Sequence, residues 1–137
     1  MRVILDTNIF VSGIFFSGPP ARILEAWRDG KIQIVISEAI LEEYRTVGMR
    51  LAAGFKGVDI DPFLRLVSIT GRLYRSPALP SQVCDDPDDD KFLACALASG
   101  SRLIVTGDKS LLKVSGYRGI KILTAREFID RFMGSST

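Results

Sequence analysis

Short apolar runs alternate along this chain with segments in which apolar residues recur at helical spacing. The runs are rich in β-branched residues and have the length of strands buried on both faces; they cover 2–6, 32–36, 103–105 and 120–123. The periodic segments predict helices over 21–28, 38–50, 61–74, 92–99 and 125–133. This alternation indicates an α/β fold with a mainly parallel central sheet.

Capping residues and loop formers mark the ends of these elements. Ser37 and Thr124 are expected to cap helix N-termini, and Gly30 and Gly100 are expected to end helices. Glycine or proline interrupts the segments 51–58 and 76–83, which we predict to be loops. We predict one domain over 1–133 and a flexible tail over 134–137.

Composition excludes several kinds of chemistry. The chain has no histidine, which excludes a Ser-His-Asp triad and His-ligated zinc. Cys84 and Cys95 lack CxxC spacing, and we predict that both are reduced and that Cys95 lies in the core. No apolar stretch approaches the roughly 20 residues of a membrane span, and the N-terminus lacks the pattern of a signal peptide. A cytoplasmic protein without a membrane segment is therefore expected.

Two of the predicted strands end at an aspartate beside small polar residues. Asp6 follows the first strand and Asp108 follows the run at 103–105. Each alone is also typical of a turn. Because ligands of parallel α/β sheets bind at the carboxyl ends of the strands, the pair predicts an acidic pocket that holds a divalent metal. Asn8 and Thr106 are expected to orient substrate or water there.

A run of aspartates supplies candidates for a third acid. Most of them suit a solvated loop and a helix cap, but so many like charges together also suggest a cation. Asp89 lies at the N-terminal end of the helical stripe that contains Phe92 and Cys95, so we select it. The other aspartates are ranked lower, Asp86 and Asp88 as alternatives and Asp85 and Asp90 as solvated.

The fourth acid is expected on the helix over 38–50. Ile40, Tyr44 and Val47 define its buried face, and Glu43 lies at the border of that face. Glu42 points away from the face. An ionised glutamate beside the core needs a partner, which is either a metal or an ordinary salt bridge. We therefore select Glu43 as the fourth acid.

These acidic segments, in this order and across essentially the whole chain, resemble those of PIN domains, most closely the toxin components of bacterial and archaeal toxin–antitoxin pairs. The matching segments are Asp6-Thr7-Asn8, the helix that carries Glu43, Asp86-Pro87-Asp88-Asp89-Asp90-Lys91-Phe92-Leu93 and Thr106-Gly107-Asp108. The resemblance implies a three-layer α/β/α sandwich and a Mg²⁺- or Mn²⁺-dependent ribonuclease. It also implies that the metal-binding acids are Asp6, Glu43, Asp89 and Asp108. Relatives of the toxin type commonly dimerise and bind a small antitoxin.

The expected reaction is hydrolysis of phosphodiester bonds in single-stranded RNA. Asp6 and Asp89 would hold the principal ion, and Glu43 and Asp108 would order its waters or a second ion. One alternative is a phosphatase with a strand-end aspartate nucleophile, although the haloacid-dehalogenase pattern requires a second aspartate where this chain has Asn8. Another is a PIN-fold binding module with little nuclease activity.

Overall fold

Five parallel strands form the centre of the fold in the computed structural model, which describes residues 1–134. The sheet order is β3-β2-β1-β4-β5, and the strands are β1 (Arg2–Leu5), β2 (Gln33–Ser37), β3 (Arg72–Tyr74), β4 (Leu103–Val105) and β5 (Lys121–Leu123). Helices flank the sheet and complete a three-layer α/β/α sandwich. The predicted fold class is confirmed. β1 is the middle strand, so its carboxyl end lies at the centre of one edge of the sheet.

Seven α-helices lie between and after the strands within residues 1–134. They are α1 (Thr7–Phe15), α2 (Pro19–Arg28), α3 (Glu38–Ala52), α4 (Asp61–Thr70), α5 (Asp90–Ser99), α6 (Lys109–Leu112) and α7 (Ala125–Phe128). The segments Pro87–Asp89 and Tyr117–Gly119 form 3₁₀ turns, and Ile129–Met133 continues α7 as a π-helical turn. The sequence pattern does not predict α1 or α6. Helix α1 contains a glycine and several β-branched and aromatic residues, which have modest helix propensity, and it packs against α2 and α3.

The helix predicted over 61–74 is too long, and this prediction is wrong at its C-terminal end. Helix α4 ends at Thr70, and the chain turns at Gly71 directly into β3, which pairs in parallel with β2. A Cβ atom at Gly71 would lie 2.3 Å from the carbonyl oxygen of Val67, so only glycine fits this turn. Strand β3 contains none of the β-branched residues that mark the predicted strands, which is why the pattern does not reveal it.

Most of the predicted helix ends are confirmed. The Ser37 hydroxyl accepts a hydrogen bond from the N–H of Ile40, and Thr124 forms a capping box with Glu127. Gly100 ends α5 in the left-handed conformation, with φ of 74°. Helix α3 runs two residues beyond its predicted end.

Other predictions concern the core and the termini. Cys84 and Cys95 are buried and unbonded to each other, as expected of reduced thiols. In the part of the chain that the structure describes, no helix has the length and apolar character needed to cross a membrane. Of the predicted tail, 135–137 lies outside the described residues. One domain over 1–133 stays a prediction.

Candidate active site at the carboxyl edge of the sheet

Asp6 occupies the junction between β1 and α1. Its backbone N–H donates to the carbonyl oxygen of Val105 at 2.8 Å, so the pairing of β1 with β4 continues one residue beyond the strand. Its side chain is buried, and Oδ2 accepts a hydrogen bond of 2.5 Å from the Thr106 hydroxyl. Burial raises the pKa of Asp6, and the Thr106 hydrogen bond partly opposes this rise. The carboxylate is therefore held in one place at a desolvated position.

Thr106 connects the two strand-end acids. While its hydroxyl donates to Asp6, the same oxygen accepts the backbone N–H of Asp108 at 3.0 Å. Thr106 is completely buried, and these two bonds hold Asp6 and Asp108 in position. Its role in orienting substrate or water stays a prediction. Asn8, by contrast, is exposed at the start of α1, and its contact with substrate or water stays a prediction.

Asp108 caps the N-terminus of α6 and lies at the same edge of the sheet. Its Oδ1 accepts hydrogen bonds from the N–H of Ser110 at 2.9 Å and from the Ser110 hydroxyl at 3.2 Å. The negative charges of Asp108 and Glu43 both raise the pKa of Asp6. The structure thus brings carboxylates from α3 and α6 near the carboxyl end of β1.

Glu43 lies on the face of α3 that is turned towards this edge. One carboxylate oxygen accepts a hydrogen bond from the Thr7 hydroxyl, and the other accepts one from Lys91 Nζ. The Glu43 side chain is 23% exposed, whereas that of Glu42 is 69% exposed and pairs with Arg45. The helical-face argument therefore selects the glutamate that the fold directs inward.

Tyr44 fixes the position of that helix. It is fully buried, and its hydroxyl donates to the carbonyl oxygen of Leu5 at 2.5 Å, one residue before Asp6. Its ring also stacks on Phe10 of α1, with the ring centroids 4.2 Å apart. Since Tyr44 is next to Glu43 in the chain, this contact also sets the distance of Glu43 from β1.

Asp89 is the least satisfied carboxylate of the site. Among the described residues, its Oδ2 is the buried side-chain oxygen or nitrogen that has no hydrogen-bond partner. Burial raises the pKa of Asp89 to about 7, and the neighbouring carboxylates of Asp108, Asp6 and Asp86 add to the rise. Asp89 therefore lies close to both strand-end acids.

The other four aspartates of the run have partners elsewhere. Asp86 caps the 3₁₀ turn by accepting the N–H of Asp88, and Asp88 and Asp85 form exposed ion pairs with Lys91 and Lys113. These contacts account for the residues ranked below Asp89.

Asp90 differs from the solvated residue that the sequence predicts. It is half-buried, and its carboxylate accepts the N–H groups of Val83 at 3.0 Å and Cys84 at 2.8 Å. Burial alone would raise the pKa of Asp90, but these hydrogen bonds lower it below its usual value. Asp90 anchors the loop that leads into the acidic run.

Sequence reasoning does not identify the role of Lys91. Its ammonium group contacts both Glu43 and Asp88, and its side chain is only 16% exposed. The sequence does contain one signal for Lys91, since it is the cation that directly follows the five aspartates of the run 85–90. Lys91 supplies the positive charge that compensates Glu43.

The donor set is chemically suited to a hard divalent cation. Asp6, Glu43, Asp89 and Asp108 offer only oxygen, which Mg²⁺ and Mn²⁺ prefer. The unpartnered buried oxygen of Asp89 is the kind of atom that a cation would satisfy. Across residues 1–134, no three acidic or cysteine side chains are gathered into a ready-made metal cage. The identity of the ligands stays a prediction.

Comparison with known proteins identifies the family of this chain. The sequence profile of the PIN domain matches residues 2–110, a span that contains all four acids. An uncharacterized protein of Methanocaldococcus jannaschii, MJ1680, is 30% identical, and the match covers 96% of this chain and 92% of that protein. PIN domains are generally nucleases and typically use divalent metals. This chain therefore belongs to the PIN-domain family.

Proposed function

We propose that this protein is a Mg²⁺- or Mn²⁺-dependent endoribonuclease that hydrolyses phosphodiester bonds of single-stranded RNA. The observation that carries the proposal is the buried, unpartnered Oδ2 of Asp89 beside Asp6 and Asp108. A buried anionic oxygen is costly unless a partner offsets its charge. A divalent cation is such a partner, and members of this family typically use one.

Three of the four acids have a separate support that suits them to hold an ion. Thr106 holds Asp6, the Ser110 N–H and hydroxyl hold Asp108, and Lys91 with Thr7 holds Glu43. When bound, the ion would supply a nucleophile at neutral pH and stabilise charge on the leaving oxygen. The supports keep the carboxylates in place before substrate arrives, which lowers the cost of organising the site.

The test is cleavage of labelled single-stranded RNA in Mg²⁺, in Mn²⁺ and in EDTA. We expect cleavage in either metal, none in EDTA, and a loss of at least about 100-fold in Asp6→Asn and Asp89→Asn. Asp85→Asn is the matched control, since Asp85 pairs with Lys113 at the surface. It should keep wild-type activity.

Two outcomes would favour the alternative functions. RNA that is bound but not cleaved in any metal would indicate a PIN-fold binding module. Release of phosphate from a phosphomonoester without RNA cleavage would indicate a phosphatase. Cleavage that persists in EDTA, or full activity in Asp6→Asn, would contradict the proposed metal site directly.

We also propose that the protein is a cytoplasmic toxin component that pairs with a small antitoxin and forms a homodimer. An exposed aromatic cluster supports a protein partner. Phe15, Phe16 and Phe55 contact one another with ring centroids 5.2–6.4 Å apart, and Phe16 is 52% exposed. Phe55 is 38% exposed and Phe15 is half-buried, and contiguous exposed apolar surface is a feature of protein interaction sites.

A further inference from the structure

A groove of about 970 Å³ lies beside the acidic site. It runs between the segment 73–82 and the N-terminal ends of α3 and α5. Its volume is at the upper end of the range of about 300–1,000 Å³ for small-molecule sites. None of the four acids assigned to the metal lines it. The groove is therefore a neighbour of the acidic site and not part of it.

Lys91 and Pro87 form the wall that the groove shares with the acids. Lys91 Nζ bonds to Glu43, and Pro87 begins the 3₁₀ turn that ends at Asp89. A chain whose phosphate lies at the acids would therefore have its next unit at the mouth of the groove.

The lining favours a planar, partly polar group over a phosphate. Its charged residues are two acids and two bases, Glu38, Asp90, Arg75 and Lys91, so it has no net positive charge to attract phosphate. The lining also includes apolar Leu73, which is 54% exposed. The lining also contains four uncharged polar residues, Ser37, Ser76, Ser81 and Gln82. Apolar surface with scattered hydrogen-bonding groups is typical of a site for an unstacked nucleobase.

Two side chains in the lining are suited to stack on a base. The Tyr74 hydroxyl accepts a hydrogen bond of 2.7 Å from Arg2, which fixes the aromatic ring at the groove. Arg75 follows it and is exposed. Tyrosine rings and arginine guanidinium planes are the groups on which bases of single-stranded RNA stack.

We propose that this groove binds the base of a nucleotide next to the cleaved phosphodiester and thereby selects the RNA sequence that is cut. The proposal rests on the proposed ribonuclease function, since that function places RNA at the acids. It assigns substrate specificity to the segment 73–82 and to α3, not to the acids themselves.

The experiment is a titration of the metal-free protein with each of the four nucleoside 5′-monophosphates, followed by amide chemical shifts. We expect shifts at 73–82 and at Ala39, and a larger response to some bases than to others. Ala78→Trp, which places a bulky ring in the groove, should reduce these shifts at least about tenfold. Ala98→Trp is the matched control, because Ala98 is exposed on α5 and outside the groove.

A cleavage experiment separates failure of this proposal from failure of the proposed function. RNA of randomised sequence is cut in Mg²⁺, and the bases on either side of each cut are counted. We expect Arg75→Ala to weaken the base preference while cleavage continues, and Arg50→Ala, an exposed arginine at the end of α3, to leave it unchanged. Base binding in the groove without any cleavage would overturn the nuclease function alone. Cleavage with no nucleotide-induced shift at 73–82, or with a base preference that both Arg75→Ala and Ala78→Trp leave intact, would overturn the groove proposal alone.

Discussion

Asp89 makes the stability of the metal-free protein depend on pH. Its pKa is raised to about 7 by burial first and then by Asp108 and Asp6, whereas an aspartate in an unfolded chain has a pKa of about 3.9. Between about pH 4 and pH 7 the folded protein therefore binds more protons than the unfolded chain. The free energy of unfolding should then fall as pH rises through this range.

Asp89→Asn should remove much of this fall, because the amide does not ionise. We expect the metal-free variant to melt at a higher temperature than wild type at pH 8 and at a similar temperature at pH 4. Added Mg²⁺ should raise the melting temperature of wild type at pH 8 and leave that of the variant unchanged. Thermal melts with and without EDTA measure both effects, with Asp85→Asn as the control. Equal pH dependence in wild type and Asp89→Asn would contradict the prediction.

Single residues of the site differ in how far the sequence reveals them. Periodicity places Glu43 inward and Glu42 outward, because helix geometry is regular and the apolar residues mark its buried face. Lys91 and Asp90 are not predictable in this way. Lys91 contacts Glu43, which is 48 residues away, and Asp90 accepts N–H groups of an irregular loop. Contacts of these kinds depend on the three-dimensional packing of segments that carry no periodic pattern.

Among the elements, those with a β-branched apolar run, or with helical periodicity and clear caps, are predicted, and the elements without such a signal are not. Strands β1 and β4 are continuous β-branched runs, and α3 begins at its predicted cap Ser37. Helix α1 and strand β3 are missed because their conformation is decided by their neighbours. β3 forms by pairing with β2, and α1 packs against α2 and α3. Local propensity is a weak signal at such places.

The C-terminal end of α5 offers a test of one element. Gly100 ends the helix with φ of 74°, a conformation that costs a residue with a Cβ roughly 1–2 kcal/mol. Gly100→Ala should therefore lower the free energy of unfolding by about 1 kcal/mol. A Cβ there would come no nearer than 4.0 Å to another heavy atom outside the adjacent residues, so backbone conformation and not crowding is the cause.

Urea denaturation measures this loss, and Gly54→Ala is the matched control. Gly54 does not have a left-handed φ, and its added Cβ would meet the carbonyl oxygen of Leu51 at an ordinary 3.7 Å. The control should change the free energy of unfolding by less than about 1 kcal/mol in either direction. A Gly100→Ala variant as stable as wild type would show that the helix end adjusts without strain.

At the scale of the whole molecule, the exposed aromatic cluster predicts self-association. We expect a dimer of this chain in solution that buries Phe15, Phe16 and Phe55, because water contact at these rings is unfavourable. Phe16→Ser should weaken the dimer at least about tenfold. Light scattering across a concentration series measures it. Ile69→Ser is the control, since Ile69 is 80% exposed on α4 and is not part of the cluster. A monomeric wild-type protein, or an equally weakened Ile69→Ser, would contradict this assignment.

The hydrogen bond between Thr106 and Asp6 joins residues that are 100 positions apart. It has a consequence for the order of events during synthesis on the ribosome. Asp6 emerges early, but its support is made much later, after β4 has emerged and paired with β1. Such distant pairing is slow to form. A nascent chain from which β4 and Thr106 have not yet emerged would therefore hold Asp6 without its hydrogen-bond partner, and the acids at the carboxyl edge of the sheet would not yet be assembled.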